Sequence, residues 1–236
     1  MIPDVPLTLF LIVIATLFIA LTVVLARSSE RGIAHPVILC AAWLSVTGAL
    51  PFILDVTNLG VAAQFPTFAA TLAVTVVLAI SPFGKHVVAI NGLALLAAIQ
   101  VFRLPLEIVL IQWYDAGFMP VQMTWRGDNL DIVTGLAALP SAALISFNYK
   151  PHLVAYVFNI LGLAMLVRII GIVALSSPTP LRNALGGYAA GPDVLVGLYF
   201  PTVWIASIGV AGAVFLHVAC LAFLIKHRKA NMSFSN

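Results

Sequence analysis

Long apolar runs separated by short polar connections dominate the chain. Each run is close to the roughly 20 residues that an α-helix needs to cross a hydrocarbon core of about 30 Å. The pattern therefore predicts an all-α integral membrane protein, built as a seven-transmembrane-helix bundle in a single domain. The predicted spans are residues 6–26, 34–54, 61–80, 87–113, 131–147, 152–175 and 199–225.

The fifth run is the shortest of the seven, and Pro140 interrupts it. Proline removes a backbone donor and disfavours the interior of a helix. Six full spans with a re-entrant fifth segment are therefore the alternative, because irregular backbone is tolerated at membrane depth where protein surrounds it. We favour seven spans.

The composition supports the same class. Hydrophobic residues make up 62% of the chain and charged residues only 8%, with a mean hydropathy of +1.13. Soluble domains carry about 25% charged residues. The net charge is +3, but the basic residues are scattered between apolar runs and form no patch or stripe of the kind that binds nucleic acid. The lipid bilayer is the predicted partner.

The distribution of Lys and Arg predicts the orientation, because positive charge is retained on the cytoplasmic side. With seven spans, one side collects seven basic residues and the other two. The seven are Arg27, Arg31, Lys85, Lys150, Lys226, Arg228 and Lys229, and the two are Arg126 and Arg182. The prediction is an outer N-terminus and a cytoplasmic C-terminus.

Three charged residues interrupt the apolar runs: Arg103 and Glu107 in the fourth, and Arg168 in the sixth. A charge near the bilayer centre costs about 2.5 to 3.5 kcal/mol on insertion scales, so such residues usually face a partner or a polar cavity. Helical rise places all three in one layer on the outer side of the centre. Arg103 and Glu107 share a helix face and can pair, with Gln100 one turn inward.

One glutamate cannot neutralise two arginines. If Glu107 pairs with Arg103, then Arg168 needs Asp131, Asp128, a bound anion, a lipid headgroup or water. Two interpretations follow. The four residues Arg103, Glu107, Arg168 and Asp131 form a structural network between helices, or they line an outward pocket where arginine engages an anionic group.

The segment before the fifth span, MPVQMTWRGDNLDIVTG at Met119–Gly135, is rich in hydrogen-bonding groups. Connections of this length are often functional. Capping of the first turn of the following helix by Asn129 or Asp131 is the favoured role. In the pocket hypothesis, Gln122, Thr124, Arg126 and Asn129 also lie over the mouth of the charged layer as a predicted lid.

A second group of polar residues is predicted in the inner half of the membrane. His217 of the seventh run and Asn159 of the sixth fall at similar depths, so an interhelical hydrogen bond between them is the simplest account of both. Haem or metal binding by His217 is the alternative, because neutral imidazole is the commonest metal ligand. The sequence has no HExxH motif, nucleophile elbow or Walker A motif, so no metal site or catalytic residue is predicted.

Four short motifs carry a family resemblance: FRLPLE at Phe102–Glu107, QMTWRGDNLDIVTG at Gln122–Gly135, FNILGL at Phe158–Leu163, and FLH at Phe215–His217. Together they resemble a family of uncharacterised small bacterial membrane proteins. The resemblance covers most of the chain from the fourth helix onward. It implies a multi-pass protein of the bacterial inner membrane and no particular activity.

The sequence thus predicts a multi-pass protein with a charged pocket in its outer half. The pocket is expected to bind or transport a small anionic or zwitterionic molecule or a lipid headgroup. A structural or assembly subunit with helix-tying salt bridges is the alternative, and an intramembrane enzyme or haem- or metal-binding protein that uses His217 is the second alternative. The sequence assigns no cofactor and no oligomeric state.

Overall fold

The computed structural model describes residues 4–56, 59–178, 180–188 and 191–233, which consist of helices and their connections and contain no β-strand. Residues 179, 189 and 190, between the sixth and seventh predicted spans, lie outside the described part, as do the side chains of Arg228 and Lys229. The α-helices are α1 (Thr8–Arg27), α2 (Ala34–Val56), α3 (Gly60–Ile80), α4 (Pro82–Asn91), α5 (Leu93–Ile99), α6 (Arg103–Asp115), α7 (Ile132–Ser146), α8 (Pro151–Ser176), α9 (Pro180–Leu185) and α10 (Ala211–Ser233). Short 3₁₀ turns occur at Gln100–Phe102, Val121–Met123 and Val196–Leu198, and a π-helix at Ile205–Val210.

Six helical stretches within the described ranges are long and apolar enough to cross a membrane. They are Thr8–Arg27, Ala34–Asp55, Ala62–Ile80, Leu93–Asp115, Pro151–Ser176 and Ile205–His227. The predicted span that matches none of these six is the fifth, 131–147, where Ile132–Ser146 is an apolar but shorter helix. Large apolar side chains on the outside of the bundle, such as Ile12 and Val167, are 58% and 69% exposed. They indicate a surface that contacts lipid.

The fourth predicted span, 87–113, begins too early. Gly92 has φ +78° and separates α4 from α5. The Ser81 hydroxyl accepts the Phe83 N–H at 3.2 Å, and Pro82 occupies the first helical position, so α4 has its own N-terminal cap. The candidate membrane-crossing stretch therefore begins at Leu93. The break between α4 and α5 lies within one continuous apolar run. The sequence pattern does not predict it, because hydropathy carries no information on backbone angles.

The seventh predicted span, 199–225, also begins too early. Residues 199–203 form a bend and a turn, in which the Thr202 hydroxyl donates to the Val196 carbonyl at 2.8 Å. Pro201 lacks the N–H that a continuing helix would use. The helical stretch begins at Ile205 and continues through α10.

Side-chain contacts at the helix ends set the direction of the chain. The Trp113 indole N–H donates to the Pro6 carbonyl at 2.9 Å, so the end of α6 lies beside the start of α1. The Asn91 amide donates to the Ser28 hydroxyl at 2.9 Å, so the end of α4 lies beside the end of α1. The stretch α5–α6 therefore runs antiparallel to α1. We call the end that carries the connections 116–131 and 177–204 the long-loop end, and the opposite one the short-loop end.

Helix α10 packs against α3, α4 and α8, while α7 packs against α5 and α8. Gly162 on α8 permits one of these approaches. A Cβ built on Gly162 would lie 2.2 Å from His217 Nε2, far inside van der Waals contact. The missing side chain of Gly162 therefore makes room for the His217 imidazole between α8 and α10.

Candidate functional site

Arg103 occupies the centre of the buried polar site. Its side chain is fully buried and forms an ion pair with Asp131, immediately before α7. Its Nε donates to Gln100 Oε1 at 3.2 Å, and Nη2 lies 3.2 Å from His217 Nε2. Removing a guanidinium from water is costly unless its donors are satisfied. Contacts to all three guanidinium nitrogens meet that requirement here.

The hydrogen bonds of His217 define its tautomer. An arginine can only donate, so His217 Nε2 is the acceptor of the Arg103 contact. Nδ1 then carries the proton and donates to Asn159 Oδ1 at 2.8 Å, the contact expected from the sequence. The Asn159 amide in turn donates to the Ala155 carbonyl at 2.7 Å, which fixes its orientation. With both ring nitrogens engaged, this arrangement does not favour haem or metal ligation by His217.

Arg103 and His217 lie at the same depth, contrary to the predicted separation into an outer charged layer and an inner histidine. Arg103 is one residue from the midpoint of Leu93–Asp115, and His217 is one residue from the midpoint of Ile205–His227. Both predicted spans began too early, which shifted their midpoints and placed the two residues apart. They belong to one network that joins α6, α7, α8 and α10.

Glu107 is also buried, but it does not take Arg103 as its hydrogen-bond partner. Its Oε1 accepts from the Asn129 amide at 2.7 Å, and the same amide donates to the Met123 carbonyl at 3.0 Å. The Trp125 backbone N–H also interacts with the Glu107 carboxylate, yet Oε2 has no hydrogen-bond partner among the described residues. The predicted Arg103–Glu107 pair is wrong because the loop before α7 folds inward and supplies a partner to each.

This loop is inserted into the bundle and does not cover it as the predicted lid. Thr124 is fully buried and Asn129 is 1% exposed. A Cβ on Gly127 would lie 2.5 Å from the Val121 carbonyl oxygen, so the tight path of the loop requires glycine there. Irregular backbone at this depth is tolerated because protein surrounds it.

The remaining predicted lid residues have other roles. Arg126 is exposed and lies 3.6 Å from the exposed Asp115 carboxylate. Gln122 is half-buried, and its Oε1 has no hydrogen-bond partner in the described part of the chain. Asp131 occupies the N-cap position of α7 without a side-chain capping bond, because its carboxylate pairs with Arg103. Asn129 Oδ1 instead accepts the Asp131 N–H at 2.9 Å.

Arg168 belongs to a second, separate cluster, so its predicted place beside Arg103 and Glu107 is wrong. Its Nε donates to the Asp128 carbonyl at 2.5 Å, and Nη2 lies 3.4 Å from Asp128 Oδ1. The Arg168 and Asp128 side chains are 45% and 41% exposed. A hydrogen bond from the Tyr188 hydroxyl to the Asp128 carboxylate raises the pKa of Tyr188. Asp128 is one of the alternative partners predicted for Arg168 from the sequence.

A cavity of about 90 Å³ lies beside the buried site. Its walls are mostly apolar and come from α2, α3, Phe102 with α6, the loop before α7, α8 and residues 196–213. Phe68, Leu106 and Ile170 are among the apolar lining residues. The described lining residues do not include these predicted site residues: Gln100, Gln122, Arg126, Asn129 and Arg168.

Four residues of the cavity wall have a charged or amide side chain: Arg103, Glu107, Asp131 and Gln64. Gln64 was not among the residues predicted from the sequence, although its amide is the most polar side chain of the third run and was the available signal. Its Nε2 donates to the Val194 carbonyl at 3.4 Å, and its Oε1 has no hydrogen-bond partner among the described residues. Both Gln64 and Glu107 therefore bring an unpartnered acceptor to the cavity.

No family model, curated protein or solved structure matches this chain. The resemblance carried by the four sequence motifs stays a prediction. Function is therefore inferred from the site itself.

Proposed function

We propose that this protein is a multi-pass protein of the bacterial inner membrane that binds or transports a small, partly apolar molecule in the internal cavity. The supporting observation is that apolar walls within the helix bundle meet the buried side chains of Arg103, Glu107 and Asp131. Ligand sites combine a mostly apolar surface with a few convergent polar groups in this way.

The charge balance selects among the ligand classes that the sequence suggests. An anionic ligand was expected because Arg103 and Arg168 were predicted to lie in one pocket. In the structure Arg168 lies elsewhere, and Arg103 is paired with Asp131. Glu107 keeps one oxygen without a partner among the described residues. A buried acceptor favours a ligand that donates hydrogen bonds. We therefore favour zwitterionic molecules, including zwitterionic lipid headgroups, and molecules with a donor group over purely anionic ones.

We propose seven membrane crossings, the fifth made partly of irregular backbone and partly of α7. At about 1.5 Å per residue, the 15 residues of α7 are shorter than the roughly 30 Å hydrocarbon core. The preceding loop reaches Arg103 and Glu107 through Asp131 and Asn129, close to the middle of the bundle. From there α7 runs beside α5 toward the short-loop end.

The orientation follows from the same arrangement. Arg27 ends α1 at the short-loop end, and Lys85 and Lys150 lie in or beside the connections assigned to that end. Positive charge is retained in the cytoplasm. The proposed topology therefore has a cytoplasmic short-loop end, an outer N-terminus and a cytoplasmic C-terminus.

Cysteine accessibility tests this topology. In a background without Cys40 and Cys220, single cysteines replace Lys85, Asn148 or Asp115 and are treated with a membrane-impermeant maleimide on intact cells. Asp115→Cys should react, and the other two should react only after the membrane is opened. Reaction of Asn148→Cys with intact cells would show that the fifth segment turns back without crossing.

Cavity filling tests ligand binding. A Cβ on Gly209 of the cavity wall would meet only Ile205 Cγ1, at 3.9 Å, so Gly209→Leu should place its side chain in the cavity without backbone overlap. The matched control is Gly171→Leu on α8, where an added Cβ meets nothing within 4 Å. The probe is a diazirine-bearing hexanol, and labelled residues are mapped by mass spectrometry.

The expected result is labelling of cavity residues such as Phe68 and Ile170 in the natural chain and in Gly171→Leu. Gly209→Leu should lose most of that labelling. Labelling confined to lipid-facing residues in all three proteins would reject the cavity as a binding site.

One observation favours a structural role for part of the site. Arg103 is satisfied by Asp131, Gln100 and His217 and so joins helices without needing a ligand. We assign Arg103 the role of holding the cavity wall in place and Glu107 the role of contacting the ligand. A purely structural subunit would retain the network and show no cavity labelling.

A further inference from the structure

We infer that the cavity selects a protonated amine with a short apolar body, whose ammonium group donates hydrogen bonds to Glu107 Oε2 and Gln64 Oε1. This inference rests on the proposed function and adds the chemical class of the ligand. It depends on which polar atoms of the cavity wall lack partners, and on the net charge that those atoms leave in the wall.

One hydrogen bond sets the orientation of the Gln64 amide. The side chain is 8% exposed, and its Nε2 donates to the Val194 carbonyl at 3.4 Å. This bond turns the amide so that Oε1 is the end without a hydrogen-bond partner among the described residues. A buried amide oxygen accepts hydrogen bonds and cannot donate them. Gln64 therefore presents an acceptor to the ligand.

Glu107 supplies a second acceptor. The Asn129 amide occupies Oε1 at 2.7 Å and is itself held by the Met123 carbonyl, so the carboxylate is fixed in position. Oε2 is the second buried acceptor of the cavity wall without a hydrogen-bond partner in the described part of the chain. Two such acceptors match the several N–H donors of one ammonium group.

Charge favours the same ligand class. Asp131 neutralises Arg103, and His217 accepts from Arg103 as a neutral imidazole. The Glu107 carboxyl group has no cation within salt-bridge distance among the described residues, so its ionised form lacks a directly paired positive charge. A buried charge requires a partner of opposite sign or a proton. An ammonium group supplies the opposite charge, whereas a carboxylate or phosphate would repel Glu107.

The size and polarity of the cavity limit the ligand body. An engineered apolar cavity of about 150 Å³ holds benzene, so a cavity of about 90 Å³ holds an ammonium group and a few methylene groups. Because the cavity is partly open, the rest of a short alkyl chain can extend through its mouth. Around Glu107 the walls are lined by apolar side chains such as Leu110, Leu106 and Phe102. These walls fit an alkyl body and offer little to a highly polar one.

The test compares three probes of equal chain length: hexylamine, hexanol and hexanoate. Hexylamine is protonated at neutral pH, as a lysine side chain is. Apparent affinities are obtained from the rise in unfolding temperature of the full chain in detergent as probe concentration increases. A hydrogen bond to a charged group contributes enough for the natural chain to bind hexylamine about tenfold or more tightly than hexanol, with hexanoate weakest.

Two variants assign the preference to the named acceptors. Glu107→Gln keeps the shape but removes the charge and places an N–H₂ where Oε2 was, so the preference for hexylamine over hexanol should disappear. Gln64→Leu should reduce the preference while leaving hexanol affinity nearly unchanged. The matched control is Asp115→Asn, because the Asp115 carboxylate is exposed and lies on the same long-loop end. It should keep the full preference.

The outcomes separate the two proposals. Equal affinity for hexylamine and hexanol in the natural chain overturns the amine inference and leaves the binding cavity intact. The amine inference is also overturned if Glu107→Gln folds and keeps the preference. If no probe stabilises the natural chain, the binding function itself fails. If Glu107→Gln does not fold, the natural-chain comparison and Gln64→Leu still decide the result.

Discussion

Arg103 Nη2 and His217 Nε2 lie 3.2 Å apart although the residues are 114 positions apart in the chain. This contact joins α6 to α10 at the centre of the bundle and connects two groups that look unrelated in the sequence. Through His217 the network continues to Asn159 on α8, and through Arg103 to Asp131 before α7. The polar residues of four helices therefore depend on one another.

Gly162→Ala should destabilise the protein, because the new Cβ would lie 2.2 Å from the His217 ring. Overpacking of this kind costs about 1 to 3 kcal/mol. The measurement is the free energy of unfolding in mixed micelles as SDS increases. Gly171→Ala on the same helix is the control, since a Cβ there meets nothing within 4 Å and should be neutral or slightly stabilising.

The mechanism is checked by a second substitution. His217→Ala removes the ring that Gly162→Ala would strike, so the double variant should be no less stable than His217→Ala alone. If Gly162→Ala costs the same in both backgrounds, the clash with His217 is not its cause.

Breaking the Arg103–Asp131 pair from one side should cost more than removing both charges. Arg103→Met leaves the buried Asp131 carboxylate unpaired, and Asp131→Asn leaves the Arg103 charge uncompensated. Removal of one partner of a buried pair costs about 3 to 5 kcal/mol, whereas replacement of both is often much milder. A double-mutant cycle on the same unfolding measurement should show strong coupling. Additive single effects would contradict it.

Arg168→Met should have little effect on stability, in contrast with the identical substitution at Arg103. Arg168 is 45% exposed and its carboxylate partner Asp128 is 41% exposed. Ion pairs of this exposure contribute about 0 to 1 kcal/mol. A loss comparable with that of Arg103→Met would indicate that the Arg168 side chain has a buried role.

Tyr188 should titrate at a higher pH than an ordinary tyrosine, because its hydroxyl donates to the Asp128 carboxylate and this raises its pKa. Since the folded-state pKa lies above the unfolded value of about 10, the stabilisation is present below that pH and is lost as pH rises through the folded pKa. The absorbance change of phenolate formation, taken as the natural chain minus Tyr188→Phe, isolates this group.

The same difference measurement in an Asp128→Asn background should show the Tyr188 titration moved to lower pH. Arg168→Met is the control, because it removes the other partner of Asp128 and keeps the carboxylate. An unchanged Tyr188 titration in Asp128→Asn would rule out the carboxylate as the cause.

The sequence by itself determined the helical membrane class and several candidate residues. Apolar runs locate the long helices because the hydrophobic thickness of a bilayer sets their length. Arg103, Glu107, Asp131 and Gln100 stand out because polar groups in such runs need partners. The sequence also predicted the hydrogen bond between His217 and Asn159, because the two residues fall at similar depths in their predicted spans.

The tertiary structure decided which of these residues meet. Hydropathy does not register the positive φ of Gly92 or the turns before Ile205, and these breaks set the depths of Arg103 and His217. Hydropathy also does not predict that the segment 121–131 folds inward, because the path of this segment depends on its contacts with α6. Because of this fold, Asp131 pairs with Arg103 and the Asn129 amide donates to Glu107, while Arg168 lies outside the site. The physical reason is that spacing along a helix fixes which face a residue shares, whereas its partner is chosen by the chain that packs against that face.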